Sequence, residues 1–218
     1  TANTTGTSNV ALGQGALTAN TTASNNTAVG YQAGYSNTTA AGITAVGVSA
    51  LSANTTGTEN VGIGGWALAL NTTGIYNTAV GANALDANTT ANNNTAVGWS
   101  ALTANTTGEN NAALGRSALA LNTSANNNTA VGYQAGYSNQ TGLQSVFVGE
   151  GAGYLSTGNY NTYVGGRAAY NATTAVNNSF FGNGSGGLVT SGSKNTIVGL
   201  YNGNQGGLDI RTSSNNIV

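Results

Sequence analysis

Residues 14–30, QGALTANTTASNNTAVG, recur almost unchanged along the chain, and residues 82–98, ANALDANTTANNNTAVG, keep the same order. A glycine closes each copy, and successive closing glycines lie 17 residues apart, with a single spacing of 16 between Gly149 and Gly165. The closing glycines are Gly13, Gly30, Gly47, Gly64, Gly81, Gly98, Gly115, Gly132, Gly149, Gly165, Gly182 and Gly199. A fixed period of this kind is typical of a protein in which each repeat packs on its neighbours.

Each repeat reads best as one coil of a β-solenoid. Thr-Ala-Val predicts a short strand, the glycine after it permits a corner with positive φ, and Ala-Leu predicts a second short strand. Asn-Thr-Thr and the variable residues after it turn the chain back. A helix fits poorly, because Gly, Asn and Thr-Thr interrupt every Ala-rich stretch. We therefore predict an all-β fold, a parallel β-solenoid (β-roll) whose coils are about 4.8 Å apart.

The predicted domain organisation has two parts. Residues 1–199 form a shaft of about twelve coils, of which the last three to four carry bulkier strand residues. Residues 200–218 form an irregular transition to a following module, although their ending Asn-Asn-Ile-Val resembles another strand that arrives about three residues late.

Stacked coils would place each residue against its counterpart in the next coil, and this explains why only 4% of the residues are charged. Neutral hydrogen-bonding side chains tolerate such stacking, whereas like charges repel. The predicted amide ladder is Asn20, Asn37, Asn54, Asn71, Asn88, Asn105, Asn122 and Asn139. A hydroxyl ladder beside it is Thr21, Thr38, Thr55, Thr72, Thr89, Thr106 and Thr123. The same asparagines, and Asn171, begin Asn-x-Ser/Thr sequons, so glycosylation is the alternative interpretation if they point outward.

The composition excludes several chemistries. His, Cys and Met are absent, so the chain has no imidazole or thiol nucleophile, no His or Cys metal ligand and no disulfide. Four scattered cations and a net charge of −1 do not suit nucleic-acid binding, and no run of 18 apolar residues predicts membrane insertion. Glu59 and Glu109 would lie about three coils, roughly 14 Å, apart, too far for a glycosidase pair. We predict no enzyme, no cofactor and no metal site.

Self-association is expected because each coil has only about two sizeable apolar residues, such as Leu17 and Val29. In the strand, Thr27 and Val29 point one way and Ala28 the other. The Ala28 position stays small for seven repeats and then becomes Phe147, Tyr163, Phe180 and Ile197. We interpret the small side as facing a symmetry axis, and predict a parallel homotrimer, intertwined or side by side.

Two further predictions concern aromatic residues. In three repeats Ala-Gly-Tyr replaces Ala-Leu, at 33–35, 135–137 and 152–154, and we expect the tyrosine to fill the space that leucine leaves. Just after a closing glycine lie Tyr31, Trp66, Trp99 and Tyr133. Exposed aromatic rings there are candidates for contact with a sugar or a host surface, and stacking between coils or chains is the alternative.

The stretch Asn25–Gly30, NNTAVG, followed by Ala33, resembles the Asn-Ser-Val-Ala-Ile-Gly-x-x-Ser/Ala repeat of YadA-like heads in trimeric autotransporter adhesins. It is also similar to Asn-Thr-Ala-Val-Gly-Tyr-Gln-Ala repeats of phage tail-fibre proteins. The unit here is longer than the usual head repeat and has Thr where that motif has Val. The resemblance covers about residues 8–199 and implies a trimeric β-roll that holds or forms a receptor-binding surface without catalysis.

Together these observations predict an extracellular, non-enzymatic shaft of a phage or virion tail fibre, a rigid spacer that supports host attachment. Its partners would be its own copies and, through an adjoining tip, a host-surface glycan or receptor. A bacterial cell-surface adhesin or an extracellular filament subunit is the first alternative. A sugar- or ice-binding solenoid is the second.

Overall fold

The computed structural model describes residues 3–206 and 208–218, so the first two residues of the predicted shaft lie outside the described residues. The chain divides into two compact units, Thr1–Asn110 and Asn111–Val218. The described residues form strands and turns without a helix, and so include no helix that could span a membrane. The predicted fold class is confirmed: the protein is an all-β, parallel β-solenoid with repeats of about 17 residues.

Each repeat contributes one strand of three residues. Unit 1 contains β1 (Val10–Leu12), β2 (Thr27–Val29), β3 (Thr44–Val46), β4 (Val61–Ile63), β5 (Thr78–Val80) and β6 (Thr95–Val97). Unit 2 contains β7 (Ala112–Leu114), β8 (Thr129–Val131), β9 (Val146–Val148), β10 (Thr162–Val164), β11 (Ser179–Phe181), β12 (Thr196–Val198), β13 (Asn204–Gln205) and β14 (Leu208–Asp209). Within each unit the strands up to β12 pair in parallel in chain order. Each strand residue pairs with the residue at the same position of the next repeat.

The closing glycine forms the predicted positive-φ corner. Gly30 has φ 136°, a backbone conformation that is costly for other residues. A Cβ on Gly30 would also lie 2.5 Å from the carbonyl oxygen of Gly47 in the next coil. Both the backbone conformation and the close approach of adjacent coils therefore require glycine here.

The prediction that the small strand residue faces a symmetry axis is wrong. Ala28 and Ala45 are completely buried inside their own coils, and Thr27 and Val29 are the residues that face outward. The position is small because the leucine of the turn fills the same interior: the Cβ that Gly62 lacks would lie 3.2 Å from Cγ of Leu51.

The Ala-Leu pair is not the second strand that we expected. Ala16 and Leu17 lie in a turn, and Leu17 has φ 47°, as do its counterparts Leu51 and Leu68 at 51° and 52°. A left-handed conformation costs a bulky L-residue roughly 1–2 kcal/mol. Burial of the leucine side chain offsets this cost and points it into the centre of the coil.

Large and small residues exchange places inside the coils. Where glycine replaces the leucine at Gly34, Ile43 is buried beside it, and where it does so at Gly136 and Gly153, the strand residue Phe147 occupies the space. The expectation that the following tyrosine fills this space is wrong, because Tyr35 is exposed on the surface. The bulky strand residues of unit 2 are thus compensation within the core.

Residues 200–218 contain an insertion and a return to the repeat. The antiparallel hairpin β13–β14 comes first, and the Tyr201 hydroxyl donates to the Leu208 carbonyl at 2.6 Å. Asn216 then donates its backbone N–H to Oδ1 of Asn195, 21 residues earlier, and Ile217 bridges Thr196 in parallel. The last residues therefore resume the coil four residues later than the period requires.

Candidate functional site

The asparagines of the predicted ladder lie inside the coils, and in unit 1 those from Asn20 to Asn105 bond to one another. Nδ2 of Asn71 donates to Oδ1 of Asn54 at 2.8 Å, and Nδ2 of Asn88 donates to Oδ1 of Asn71 at 2.8 Å. The second hydrogen of each amide goes to a carbonyl three residues on, as from Asn71 to Gly74 at 3.0 Å. All eight, Asn20, Asn37, Asn54, Asn71, Asn88, Asn105, Asn122 and Asn139, are buried.

This burial bears directly on the sequons. A glycan is attached to Nδ2, and Nδ2 of Asn37 already donates to Oδ1 of Asn20 at 3.3 Å and to the Ala40 carbonyl at 2.9 Å. A glycan there would need space that the packed coils do not have. Asn171 differs, because it precedes the ladder position by one residue and is only half-buried, with Nδ2 donating to Gly187 at 2.7 Å.

A second amide ladder, which we did not predict, is formed by asparagines that directly precede the strands in the sequence. The Asn77 backbone N–H donates to Oδ1 of Asn60 at 2.9 Å, and Nδ2 of Asn77 donates to the Ala91 carbonyl at 2.8 Å. The same carbonyl accepts from Asn88 of the first ladder at 3.1 Å, so the two ladders meet there. Its buried members are Asn26, Asn60, Asn77, Asn94, Asn111, Asn128, Asn161, Asn178 and Asn195. The available signal was the asparagine that directly precedes most of the strands.

Among the described residues, the first ladder has amide-to-amide bonds only in unit 1, because Asn122 and Asn139 of unit 2 donate to backbone carbonyls instead. After Asn139 its position is taken by Ser156, Ala172 and Val189, all buried. Oδ1 of Asn139 and the Ser156 hydroxyl have no hydrogen-bond partner among the described residues. The change coincides with the larger strand residues Phe147, Tyr163 and Phe180, so polar ladder and apolar core replace each other along the chain.

The threonine column also links coils, by a different contact from the one predicted. The Thr55 hydroxyl donates to the backbone carbonyl of Thr72 at 3.0 Å, and Thr72 donates to the carbonyl of Thr89 at 3.0 Å. The threonine that follows each of these, such as Thr56 or Thr73, is exposed.

The outer face of the strands carries a column of aliphatic side chains. The third strand residue is Leu12, Val29, Val46, Ile63, Val80 and Val97 in unit 1 and Leu114, Val131, Val148, Val164, Phe181 and Val198 in unit 2. These side chains are half-buried to exposed, and no charged residue occupies any position of β1 to β12. We call these twelve residues the valine column.

The four predicted surface aromatics are exposed but are not brought together. Tyr31, Trp66 and Trp99 lie in different coils of unit 1, and each exposes about half of its surface. Tyr133 lies in unit 2, with the Arg116 guanidinium 5.6 Å from its ring centre. Contact with a sugar or a host surface stays a prediction for these residues.

A denser aromatic group, absent from the sequence-based predictions, lies in unit 2. The rings of Tyr137 and Tyr154 stack at 5.1 Å and those of Tyr154 and Tyr170 at 4.9 Å. Arg167 lies 5.9 Å from the Tyr170 ring centre and 3.6 Å from Glu150. Partial burial and the neighbouring Tyr170, Tyr137 and Tyr133 raise the pKa of Tyr154. The tyrosines one repeat apart were the available signal.

The remaining carboxylates stand in separate coils. Asp86 accepts from the Thr103 hydroxyl at 2.7 Å, and Glu109 accepts from Nδ2 of Asn92 at 2.9 Å. Asp209 pairs with Arg211 at 2.7 Å, which holds the pKa of that carboxyl below its usual value. Within residues 3–206 and 208–218, no three acidic side chains form a group that could hold a metal ion.

Comparison of the chain with protein-family models, with characterised proteins and with solved structures found no match. The class that the fold defines is therefore the parallel β-solenoid, with neutral ladders inside and a largely uncharged surface.

Proposed function

We propose that this chain is a non-enzymatic structural segment of an extracellular fibre, a stiff spacer in the shaft of a phage or virion tail fibre that supports attachment to a host. A bacterial surface adhesin or an extracellular filament subunit is the second assignment, and it would use the same structural properties. In both, receptor binding belongs to an adjoining tip.

The observation that carries this proposal is the coil-to-coil bonding of the neutral ladders. Along unit 1 each ladder amide bonds to the amide of the next coil, as Asn71 does with Asn54 and Asn88, and the strand and threonine contacts repeat with the same period. A structure in which each repeat contacts only its neighbours can be lengthened by adding repeats without changing the surroundings of any of them. That property suits a spacer and requires no binding pocket.

The valine column supports the homotrimer. Water would favour polar side chains on an outward strand face, yet the third strand residue is aliphatic in eleven of the twelve strands and Phe181 in the other. Identical copies placed in register could cover this column with the same column of a neighbour, and no charge would have to be desolvated. The association surface proposed here is thus the outward Thr/Val side of the strands.

Sedimentation equilibrium of the untagged chain tests the proposal. We expect a mass about three times 21.4 kDa, together with a β-rich circular dichroism spectrum. The double variant Val46→Lys/Val80→Lys should sediment as a folded monomer, because it places charges two coils apart in the valine column. Thr39→Lys/Thr73→Lys, with the same charge and spacing on the exposed turn, should remain trimeric.

A folded monomer of the unaltered chain would contradict the trimer, and so would a trimer that survives both double variants. Immunogold labelling distinguishes the two assignments: labelled virion fibres support the tail fibre, and label confined to bacterial surfaces supports the adhesin.

A further inference from the structure

The stacked tyrosines of unit 2 form a surface that the proposed spacer function does not need. We call it the tyrosine corner, and its members are Tyr133, Tyr137, Tyr154, Tyr170, Glu150 and Arg167. Tyr137, Tyr154 and Tyr170 occupy the same position in three successive coils, and their ring planes are within 10° and 5° of parallel. The three side chains are half-buried, as expected for rings that cover each other's faces.

Stacking leaves the ring edges and the hydroxyls to solvent. Within the described residues, the hydroxyls of Tyr137, Tyr154 and Tyr170 make no hydrogen bond, although each can donate one and accept others. Burial, and after it the neighbouring Tyr170, Tyr137 and Tyr133, raise the pKa of Tyr154. The corner therefore presents a row of phenol hydroxyls at intervals of about one coil.

The corner is also where cations concentrate. Arg167 lies in it, and Arg116 lies over Tyr133, so two of the four cations of the chain are here against a single carboxylate, Glu150. The Arg167–Glu150 pair is long, at 3.6 Å, and both side chains are more than half exposed, at 67% and 54%. Exposed pairs of this kind contribute little, so a ligand carboxylate can compete for Arg167.

We propose that the tyrosine corner binds a linear acidic polysaccharide that lies along the coil stack. The ring spacing of 4.9–5.1 Å is close to the length of one sugar residue in an extended β-linked chain. Consecutive sugar hydroxyls would bond to consecutive tyrosine hydroxyls, and a uronate carboxylate would bind the Arg167 guanidinium. The proposal goes beyond the spacer function, because it places a binding surface on the shaft itself.

Calorimetric titration of the full chain with a β-(1→4)-linked oligouronate tests the proposal, with a neutral cello-oligosaccharide of equal length in parallel. We expect the oligouronate to bind more tightly. Tyr154→Phe, which keeps the stack and removes one hydroxyl, should weaken binding by up to about tenfold. Arg167→Gln should weaken binding of the oligouronate alone, and Glu150→Gln should strengthen it.

Two matched controls come from the same chain. Tyr35→Phe alters a tyrosine at the same repeat position that has no stacked ring partner among the described residues, and Lys194→Gln removes a cation outside the corner. Neither should change the affinity. Absence of oligouronate binding, equal competition by poly-glutamate, or insensitivity to Tyr154→Phe and Arg167→Gln would each overturn the proposal. Because binding is measured per chain and none of these residues lies in the valine column, its failure is distinguishable from failure of the trimer.

Discussion

A single asparagine side chain can form hydrogen bonds that link three successive coils. The Asn71 amide donates to Asn54 Oδ1 and to the Gly74 carbonyl, and its own Oδ1 accepts from Asn88. A buried amide with all these bonds is favourable, whereas the same site with unpaired neighbours is costly. The ladder thus explains why the chain can use so little charge and so few large apolar residues.

Replacement of Asn71 tests the ladder. Asn71→Leu has a similar volume but leaves Oδ1 of Asn54 and Nδ2 of Asn88 without their bonds, so we expect a loss of about 2–4 kcal/mol in the free energy of unfolding. Urea unfolding followed by circular dichroism measures it. Thr73→Ala, on the exposed turn, should change the value by less than about 0.5 kcal/mol. Equal effects of the two substitutions would contradict the role of the ladder.

Tyr163 is expected to make stability depend on alkaline pH. Its hydroxyl is buried near Asn178 and Ser156 without a well-formed hydrogen bond, and burial outweighs these two neighbours and raises the pKa of Tyr163 above the ordinary value of 10.0. The folded chain keeps the phenol proton where the unfolded chain loses it, so this contribution to stability is intact below pH 10.0 and falls as the pH rises above it. Tyr163→Phe should flatten this decline in urea unfolding between neutral and alkaline pH, and an unchanged decline would contradict the assignment. Tyr31→Phe, on an exposed ring, is the control.

At the scale of the coil, the core conserves volume by exchanging residues between the turn and the strand. Five coils pair a turn leucine with a strand alanine, such as Leu119 with Ala130, whereas Gly136 pairs with Phe147. Leu119 has φ 50° and Gly136 has φ 60°, so leucine is compatible with the backbone at position 136. What excludes it is Phe147, whose Cδ2 would lie 2.5 Å from the added Cβ.

A double-mutant cycle at this pair measures the exchange. Gly136→Leu should destabilise by about 1–3 kcal/mol through overpacking, and Phe147→Ala by about 3–5 kcal/mol through the cavity it leaves. The combination restores the common leucine–alanine pair, so we expect the double variant to be more stable than Phe147→Ala alone. Additive losses in urea unfolding would show that the two positions do not share one space.

The sequence was sufficient to predict the coil, but not which strand residues face its interior. The 17-residue period, the corner at Gly30 and the amide ladder through Asn71 follow from spacing and residue type. The orientation of the strand does not, because Thr27-Ala28-Val29 has a small residue on one side and an aliphatic one on the other, and either side can be buried. The turn at Leu17 was also beyond prediction, since a leucine with positive φ contradicts its local preference and exists only because the packed coil compensates for the strain. For the same reason the sequence did not predict the tyrosine corner, because the position of Tyr154 on the surface depends on the conformation of this turn.

At the scale of the whole molecule, the protein is defined by repetition within each of its units. Most coils of unit 1 offer their neighbours the same strand edge, the same amides and the same threonine carbonyls. Stability in such a stack is approximately a sum over neighbouring coils. The insertion before Ile210 shows that extra residues are accommodated between coils, because Asn216 still finds Asn195 after 21 residues.

Deletion of a complete coil tests this additivity. Removal of residues 82–98 joins Gly81 to Trp99, keeps every position in phase and lets Asn105 follow Asn71 in the ladder. We expect a cooperative thermal transition within about 4 °C of the unaltered chain and the same circular dichroism per residue, because every remaining coil still meets an equivalent neighbour. Removal of residues 82–90 deletes fewer residues but leaves a coil too short to close, so it should lower the midpoint far more. If the two deletions were tolerated equally, the coil would not be the unit of stability, and the chain could not be extended simply by adding coils.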